Sequence, residues 1–453
     1  MTQRTQKDGL SELTVLMRRA DTQEVRGPKL VDPNSRRRRR RRGAIATAII
    51  VVVVLALVGG YVFAALTAPV GAAAATVHRP DVPPPVAAAV AVSPEGESAI
   101  SVAGADDYLG QTAGGILASG GGNAAVPIAS ISKLITAMVV LDHKPLGSSG
   151  TGPTITFDKT AHALYDKYFV LNATITAMPT GSSMSEHDAL ETMLVVSACN
   201  YAEAVSTWAF GSQAAFLSAT KTWLAAHGMT GTRMVESTGI DARNVGTPSD
   251  LIALGKLAMA NPAVAAMVAT TTLRVPGLQG QRNTNDLLGS DGITGIKTGT
   301  LDPMGSDLLF SAVVPVGTPQ PLTLIGVVLG GSTHESVDRD VQAMIASVQA
   351  GFHNVDVGAA GQVVGHYSTP WGGSADMVLA DSASVFTWSN TPITSTMTTS
   401  TLKTGKAGEK VGSITWTAGK NTITVPIVLM GRIKPPTTQW RLTHPKQLLS
   451  WWP

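Results

Sequence analysis

Residues 292–330 read GITGIKTGTLDPMGSDLLFSAVVPVGTPQPLTLIGVVLG. Three short runs rich in β-branched and aliphatic residues, GITGIKTG, DLLFSAVVPV and LTLIGVVLG, are joined by Gly- and Pro-containing turns, the pattern of an antiparallel meander. What precedes them reads as helical. SISKLITAMVVLD carries apolar residues at 131, 134, 135, 138 and 141, one face of a helix. SEHDALETMLVV opens with Ser185 three residues ahead of Asp188, a start like a capping box. TPSDLIALGKLAMA has Thr247 as N-cap and Pro248 at the first helical position, and stops at Asn261-Pro262. A last helix is predicted near 334–350. Helices, then consecutive strands, then a helix is an α+β order rather than alternating βαβ.

This main domain is expected over residues 95–354. Beyond it the texture turns to Thr, Val, Gly and Ser. SITWTAGKNTITVPIVL reads as two alternating strands about a Gly419-Lys420 turn. A C-terminal all-β domain is therefore predicted over 355–453, with the terminal QLLSWWP packed rather than free. Ahead of the main domain, residues 67–94 (HRPDVPPPVAAAV in part) look like an extended Ala/Pro-rich tether. No internal repeats stand out.

The chain's 453 residues suffice for two domains plus extensions, and 44% apolar against 14% charged residues supports a globular reading. A mean hydropathy of +0.18 points to one segment that belongs in lipid. The single cysteine excludes an intrachain disulfide and any multi-cysteine metal site. The pI of 8.9 misleads. Residues 1–42 hold 13 Lys+Arg and 5 Asp+Glu, leaving 21 of the 34 basic and 26 of the 31 acidic residues, a net of −5, for everything else. The basicity is local, and a nucleic-acid partner loses its support.

Arg36 to Arg42 run straight into GAIATAIIVVVVLALVGGYVFAAL, and no charge occurs from Ala44 to Leu66. Twenty-three uncharged residues span a hydrocarbon core of about 30 Å. Arginines ahead of the span predict a cytoplasmic tail over 1–43, a transmembrane helix over 44–66, and everything later outside the membrane. The alternative is a cleaved signal peptide, since GAAAA follows. The long apolar run and the 42-residue leader favour the uncleaved anchor.

Three short patterns carry chemistry. The first is Ser130-Ile131-Ser132-Lys133. On a helix, positions i and i+3 share a face, so the Lys133 amine reaches the Ser130 hydroxyl and can take its proton if burial and nearby cations hold the lysine neutral. Ser130 follows AAVPIA and begins a helix, where free backbone N–H groups can stabilise an oxyanion. Ser218-Ala219-Thr220-Lys221 has the same spacing but falls mid-helix in FLSATKTWLAAH, a surface coincidence. The second pattern is Ser197-Ala198-Cys199, 67 residues on, and the third is Lys297-Thr298-Gly299, 100 further. Lys297, Thr298 and Thr300 offer a cation and two hydroxyls to a substrate carboxylate, and Gly299 lets a ligand backbone lie close to the strand. Lys403-Thr404-Gly405 repeats the third pattern in a Thr/Ser-rich stretch and reads as a solvated turn. His143, His187 and His227 read as surface or helix-end residues, and no Ser-His-Asp motif is present.

In order and spacing this constellation resembles the serine D-Ala-D-Ala carboxypeptidases, the low-molecular-mass penicillin-binding proteins of peptidase family S11. The likeness covers residues from about 95 to 350. It is carried by PIASISKLITAM, GSSMSEHDALETMLVVSACNYAEAVS, ESTGIDARNVGTPSDLIALGKLAM and RNTNDLLGSDGITGIKTGTL. The resemblance implies a DD-peptidase/β-lactamase-like fold, an antiparallel sheet flanked by helices, with the β domain as its appendage. Ser130 would attack the carbonyl of a terminal D-Ala-D-Ala bond in peptidoglycan stem peptides, and Lys133 would be its base. Ser197 would relay a proton to the leaving amine. Lys297, Thr298, Gly299 and Thr300 would bind substrate, with the oxyanion on the N–H groups of Ser130 and Thr300. β-Lactams would be covalent inhibitors, no metal or organic cofactor is called for, and the protein would sit in a bacterial cell membrane.

The departure is Cys199. The family's second motif is S-x-N, and gap-free alignment puts Cys199 in the asparagine position. The other register, Ala198-Cys199-Asn200, keeps the asparagine but loses the serine; the first is preferred because it keeps a hydroxyl for proton relay. Residues two apart on a helix point about 200° apart, so for Ser197 and Cys199 to serve one cleft the segment has to bend. A thiol is a weaker donor and acceptor than a carboxamide, which predicts weakened substrate contact and slower hydrolysis, with D,D-transpeptidation as a further outcome. Two other readings stand beside the carboxypeptidase. A class A β-lactamase would need a deacylating Glu that NYAEAVSTWAFG does not offer. A catalytically weak wall scaffold is disfavoured by intact Ser130, Lys133 and Lys297.

Overall fold

The computed structural model describes residues 33–109, 114–148 and 150–451. Residues 1–32 of the basic tail lie outside them. The chain divides into two units: one of the described part of Met1–Ala73 with Thr369–Gly373 and Lys434–Pro453, the other of Ala74–Ser368 with Ser374–Ile433.

In the first unit a helix runs from Pro33 to Thr67, and its stretch Arg37–Thr67 is long and apolar enough to cross a membrane. Its apolar side chains are exposed, Leu57 at 68% and Phe63 at 71%. The last carbonyls of any helix lack intrahelical donors. Here Arg441 supplies them: its Nη1 donates to the carbonyls of Ala65 (3.2 Å), Leu66 (3.3 Å) and Ala68 (2.8 Å). Tyr61 Oη donates to Leu442 O at 2.6 Å, and Leu448 is buried against Ala65 and Ala68. Trp371, Trp440 and Trp451 surround the contact with centroids 6.0–6.3 Å apart. The terminal residues thus pack through Leu448, while Leu449 stays 71% exposed.

The second unit is built on a five-stranded antiparallel sheet ordered Ile116–Gly120, Glu97–Ala103, Leu322–Gly331, Gly305–Val314, Ile293–Leu301. Its last three strands in sequence are the meander of residues 292–330. These strands read as continuous apolar runs because both sheet faces are covered. Leu309, Ile325 and Val327 join the core beneath the helices, whereas Leu308, Phe310, Leu324 and Val328 pack with Val337, Val341 and Met344 of helix His334–Ala350. Helix caps sit where the sequence places them: Ser185 Oγ accepts from Asp188 N, and Thr247 Oγ1 from Asp250 N.

The Thr/Val-rich region forms a second sheet ordered Ala74–Val77, Val363–Ser368, Ser374–Leu379, Asn421–Met430, Lys410–Ala418, Ile393–Thr399. Gly419, at φ +59°, turns its central hairpin. Its strands end at Met430, so Lys434–Trp451 fall outside the β layer. The Ala/Pro-rich stretch is extended but bound. Ala74–Val77 completes the sheet edge, and Ala88 N and Ala91 N donate to Ser389 Oγ (2.8 Å) and Ser347 Oγ (2.9 Å). Backbone donors of an extended chain need partners, and an open sheet edge supplies them. Tyr108, Phe352 and Phe386 stack edge-on between the two sheets' regions at 5.6–5.7 Å.

Candidate active site

Three chain segments converge on one place, and the first carries Ser130. Val126–Pro127 pairs with Val245–Gly246, a 3₁₀ turn follows over Ala129–Ile131, and helix Ser132–His143 continues from it. One turn separates the half-buried Ser130 from Lys133, which is fully buried. Lys133 Nζ lies 2.8 Å from Ser130 Oγ and donates to Thr238 O at 2.7 Å. Burial removes every competing water, so the amine's position is set by these two oxygens.

The Thr238 carbonyl is itself held by a network over Glu236–Asn244. The Glu236 carboxylate accepts from Thr238 N and Gly239 N, both at 2.6 Å, and from Asn244 Nδ2 at 2.9 Å. Asn244 Nδ2 also donates to Ser132 Oγ (3.0 Å), and its Oδ1 accepts from Val235 N (2.7 Å). Gly239 has φ +90° and lies so close to the Ser130 turn that a Cβ there would be 1.9 Å from Ala129 O and 2.9 Å from Ser130 N. None of these residues was assigned a role from sequence. A Glu, a Gly and an Asn clustered in a stretch without helix or strand period were the available signal.

The second segment bends as Ser197 and Cys199 require. Helix Glu186–Val195 ends, Ser197 takes φ +62°, and Cys199 opens helix Cys199–Phe210. Cys199 is buried and its N–H donates to Thr174 O at 2.8 Å. Asn200 faces elsewhere: its Oδ1 accepts from Thr176 N (3.2 Å) and its Nδ2 donates to Thr176 O (2.8 Å), with both residues buried. The asparagine therefore clamps the loop ahead of the motif. Asn200→Ala should cost about 1–3 kcal/mol by leaving two buried backbone groups unpaired, against a few tenths for Cys199→Ser. Denaturant unfolding of both variants checks this; equal midpoints would contradict it.

The third segment is the edge strand Ile293–Leu301. Lys297 is buried, and burial first, then the neighbouring Lys133 charge, pushes its amine down to about 7, with Cys199 acting the other way. Its Nζ donates to Thr284 Oγ1 (3.3 Å) and Thr298 Oγ1 (3.4 Å), which contact each other at 2.6 Å. Gly299 has no room for a side chain: a Cβ would lie 2.9 Å from Asp307 Oδ2 and 3.0 Å from Ala129 Cβ. That close approach brings the strand against the Ser130 turn. Burial pushes Asp307 up to about 7, partly opposed by the Gly330 N–H it accepts at 2.8 Å. Thr300 is exposed at the strand end, with Oγ1 2.6 Å from His334 Nε2.

The structure thus brings Ser130, Lys133, Lys297 and Cys199 into one electrostatic neighbourhood, with Thr298 joined to it through Lys297. Ser218 and Lys221 lie exposed on helix Gln213–Ala226, and Lys403 and Thr404 are exposed too. His143 stacks on Phe210, His187 pairs with Asp188 and His227 tilts onto Trp223. His334 is one of the histidines that sequence reading did not single out. Its partner is 34 residues away and follows no motif.

A family model described as D-alanyl-D-alanine carboxypeptidase, peptidase S11, matches residues 97–333. A D-alanyl-D-alanine endopeptidase of Pseudomonas aeruginosa is 30% identical over 241 residues, covering 51% of this chain and 74% of that protein. Among solved structures, penicillin binding protein 6B of Escherichia coli superposes with a TM-score of 0.52 at 21% identity, covering 77% of this chain and 99% of that one. Penicillin binding protein 5 of Haemophilus influenzae gives 0.50 at 17% identity, with 75% and 98% covered. At these identities the two structures speak for the fold alone.

Proposed function

The chain belongs to the D-alanyl-D-alanine carboxypeptidase family, peptidase S11, and is a serine peptidase; from that premise we propose that it removes terminal D-alanine from peptidoglycan stem peptides through an acyl-enzyme on Ser130. The observation that carries this reading is the buried Lys133 amine between Ser130 Oγ at 2.8 Å and Thr238 O at 2.7 Å. Uncharged, that amine keeps its donation to Thr238 O and accepts the Ser130 proton through the same short contact. Ser130 Oγ then bonds to the carbonyl carbon of the penultimate D-alanine. The oxygen charge is taken by the backbone N–H groups of Ser130 and Thr300. As the C–N bond breaks, the departing amine gains a proton through Ser197. Water, activated by Lys133, cleaves the ester and restores Ser130.

Lys297 keeps this site electropositive, and Thr298, Gly299 and Thr300 receive the terminal carboxylate and the adjacent backbone. Two amines buried together disfavour double protonation, and burial with the Lys133 charge beside it brings the Lys297 amine down to about 7. β-Lactams acylate Ser130 in the same way. The arginine run before the apolar helix and the helix's exposed apolar surface support a single-pass anchor with the N-terminus cytoplasmic and the catalytic part outside. The buried Cys199 supports a second fate for the acyl-enzyme. With a weaker hydrogen-bonding group in the asparagine position, an amine acceptor competes with water and D,D-transpeptidation accompanies hydrolysis.

Full-length protein in detergent should bind fluorescent penicillin covalently and release D-alanine from a D-Ala-D-Ala peptide, with both lost in Ser130→Ala. Adding glycylglycine should divert part of the acyl group into a new amide. Absence of any adduct on the wild type would leave a scaffold, and rapid turnover of the adduct would indicate a β-lactamase.

A further inference from the structure

We infer that His334 is a specificity-determining residue of this site: protonated, it orients the Thr300 hydroxyl toward an anionic substrate terminus and adds a positive charge beside it. The inference rests on the carboxypeptidase reading above and concerns how that site tells a free carboxylate from a neutral end. His334 opens helix His334–Ala350, and its Nε2 lies 2.6 Å from Thr300 Oγ1. Both residues are exposed, so the pair borders solvent where a ligand enters.

The chemistry lies in the direction of one hydrogen bond. A neutral imidazole has one donor and one acceptor nitrogen, so Nε2 can accept the Thr300 proton. Thr300 then has only lone pairs to offer, and lone pairs repel a carboxylate. Imidazolium is donor-only. Its Nε2–H occupies a lone pair of Thr300 Oγ1 and leaves the hydroxyl proton free to donate to the anion. A neutral ring frees that proton only in its Nε2–H tautomer; protonation fixes Thr300 as a donor in every case and brings a cation within two hydrogen bonds of the carboxylate.

Thr298 is not switched this way, because its hydroxyl is tied to Thr284 and Lys297. Several charged groups bear on the imidazole. On its own helix these are the adjacent Glu335 and, one turn on, Asp338, whose carboxyl is raised by burial and then by Asp286 and lowered by His334. From the segment before strand Glu97–Ala103 comes Glu95, which accepts from Ser332 N at 2.7 Å. The sheet contributes the buried Asp307 and Lys297. A bound carboxylate adds one more negative charge and favours the protonated ring.

The test uses full-length protein in detergent and two peptides ending in D-Ala-D-Ala, one with a free carboxylate and one amidated. For His334→Gln, KM for the free acid should rise roughly tenfold, with kcat within about twofold and the amide's KM unchanged, the size expected for a lost charge-assisted contact. His334→Arg, which is always charged and donor-only, should restore discrimination. Wild-type KM for the acid should depend more steeply on pH than that of His334→Arg. Any dependence common to both profiles belongs to other groups, Lys297 among them, so the difference between profiles isolates His334. An unchanged acid-to-amide ratio in His334→Gln, a loss confined to kcat, or matching pH profiles would overturn the assignment. If wild type released no D-alanine at all, the carboxypeptidase reading itself would fall instead.

Discussion

Replacing Lys133 with methionine should slow acylation of Ser130 by about 10³–10⁴-fold, near the upper end of what a positioned general base contributes. Methionine is unbranched and fills much of the same buried channel, so the helix and the 3₁₀ turn keep their place. Two things change. Thr238 O loses a buried donor, which costs about 1–3 kcal/mol of stability. Lys297 loses the nearby charge that is second only to burial in depressing its amine, so its pKa should rise from about 7 while staying below an ordinary lysine's. Stopped-flow labelling with fluorescent penicillin reads the rate, and its pH dependence reads the Lys297 shift. Acylation within tenfold of wild type would remove Lys133 as the base.

Gly239→Ala should be nearly as damaging for a different reason. Its Cβ would be placed 1.9 Å from Ala129 O, a backbone atom in a turn already strained at φ +41°. Something must move, and Ser130 is the next residue. We expect a loss of about 2–4 kcal/mol in stability and at least about 100-fold in acylation. Gly277→Ala is the matched control. Its φ is +82° but nothing lies within 4 Å of the added carbon, so only the backbone cost of about 1 kcal/mol remains and acylation is unchanged. Equal effects of the two substitutions would mean that the Gly239 contact has no bearing on the nucleophile.

The parts of the site legible in sequence share a property: each is local. Ser130 and Lys133 are one helical turn apart, Lys297 to Thr300 are consecutive on one strand, and the caps at Ser185 and Thr247 act within three residues. The antiparallel order of the sheet was legible because its last three strands follow one another in the chain. What escaped is non-local. Thr238 meets Lys133 across 105 residues, Thr176 meets Asn200 across 24, and His334 meets Thr300 across 34, none with a period or motif to announce it. The register question at Ser197-Ala198-Cys199-Asn200 shows the limit well. Sequence offered two alignments, and the observation bearing on them is where the Asn200 amide spends its hydrogen bonds. Residues 67–94 read as an extended tether, and the serine hydroxyls that hold them, 256 and 301 residues away, left no trace in that stretch.

The Arg441 contact bears on how the chain holds together after a backbone cut. The chain leaves the helix's unit after residue 73, returns to it at residues 369–373 and again from residue 434, where Arg441, Leu442 and Leu448 grip the helix's final turns. A protease that nicks the Pro-rich stretch at residues 80–85 severs one of several chain connections between the two units. The downstream fragment keeps its own hold on the helix through Arg441, Leu442 and Leu448. Cleavage of that stretch alone leaves the fragment held by its C-terminal segment.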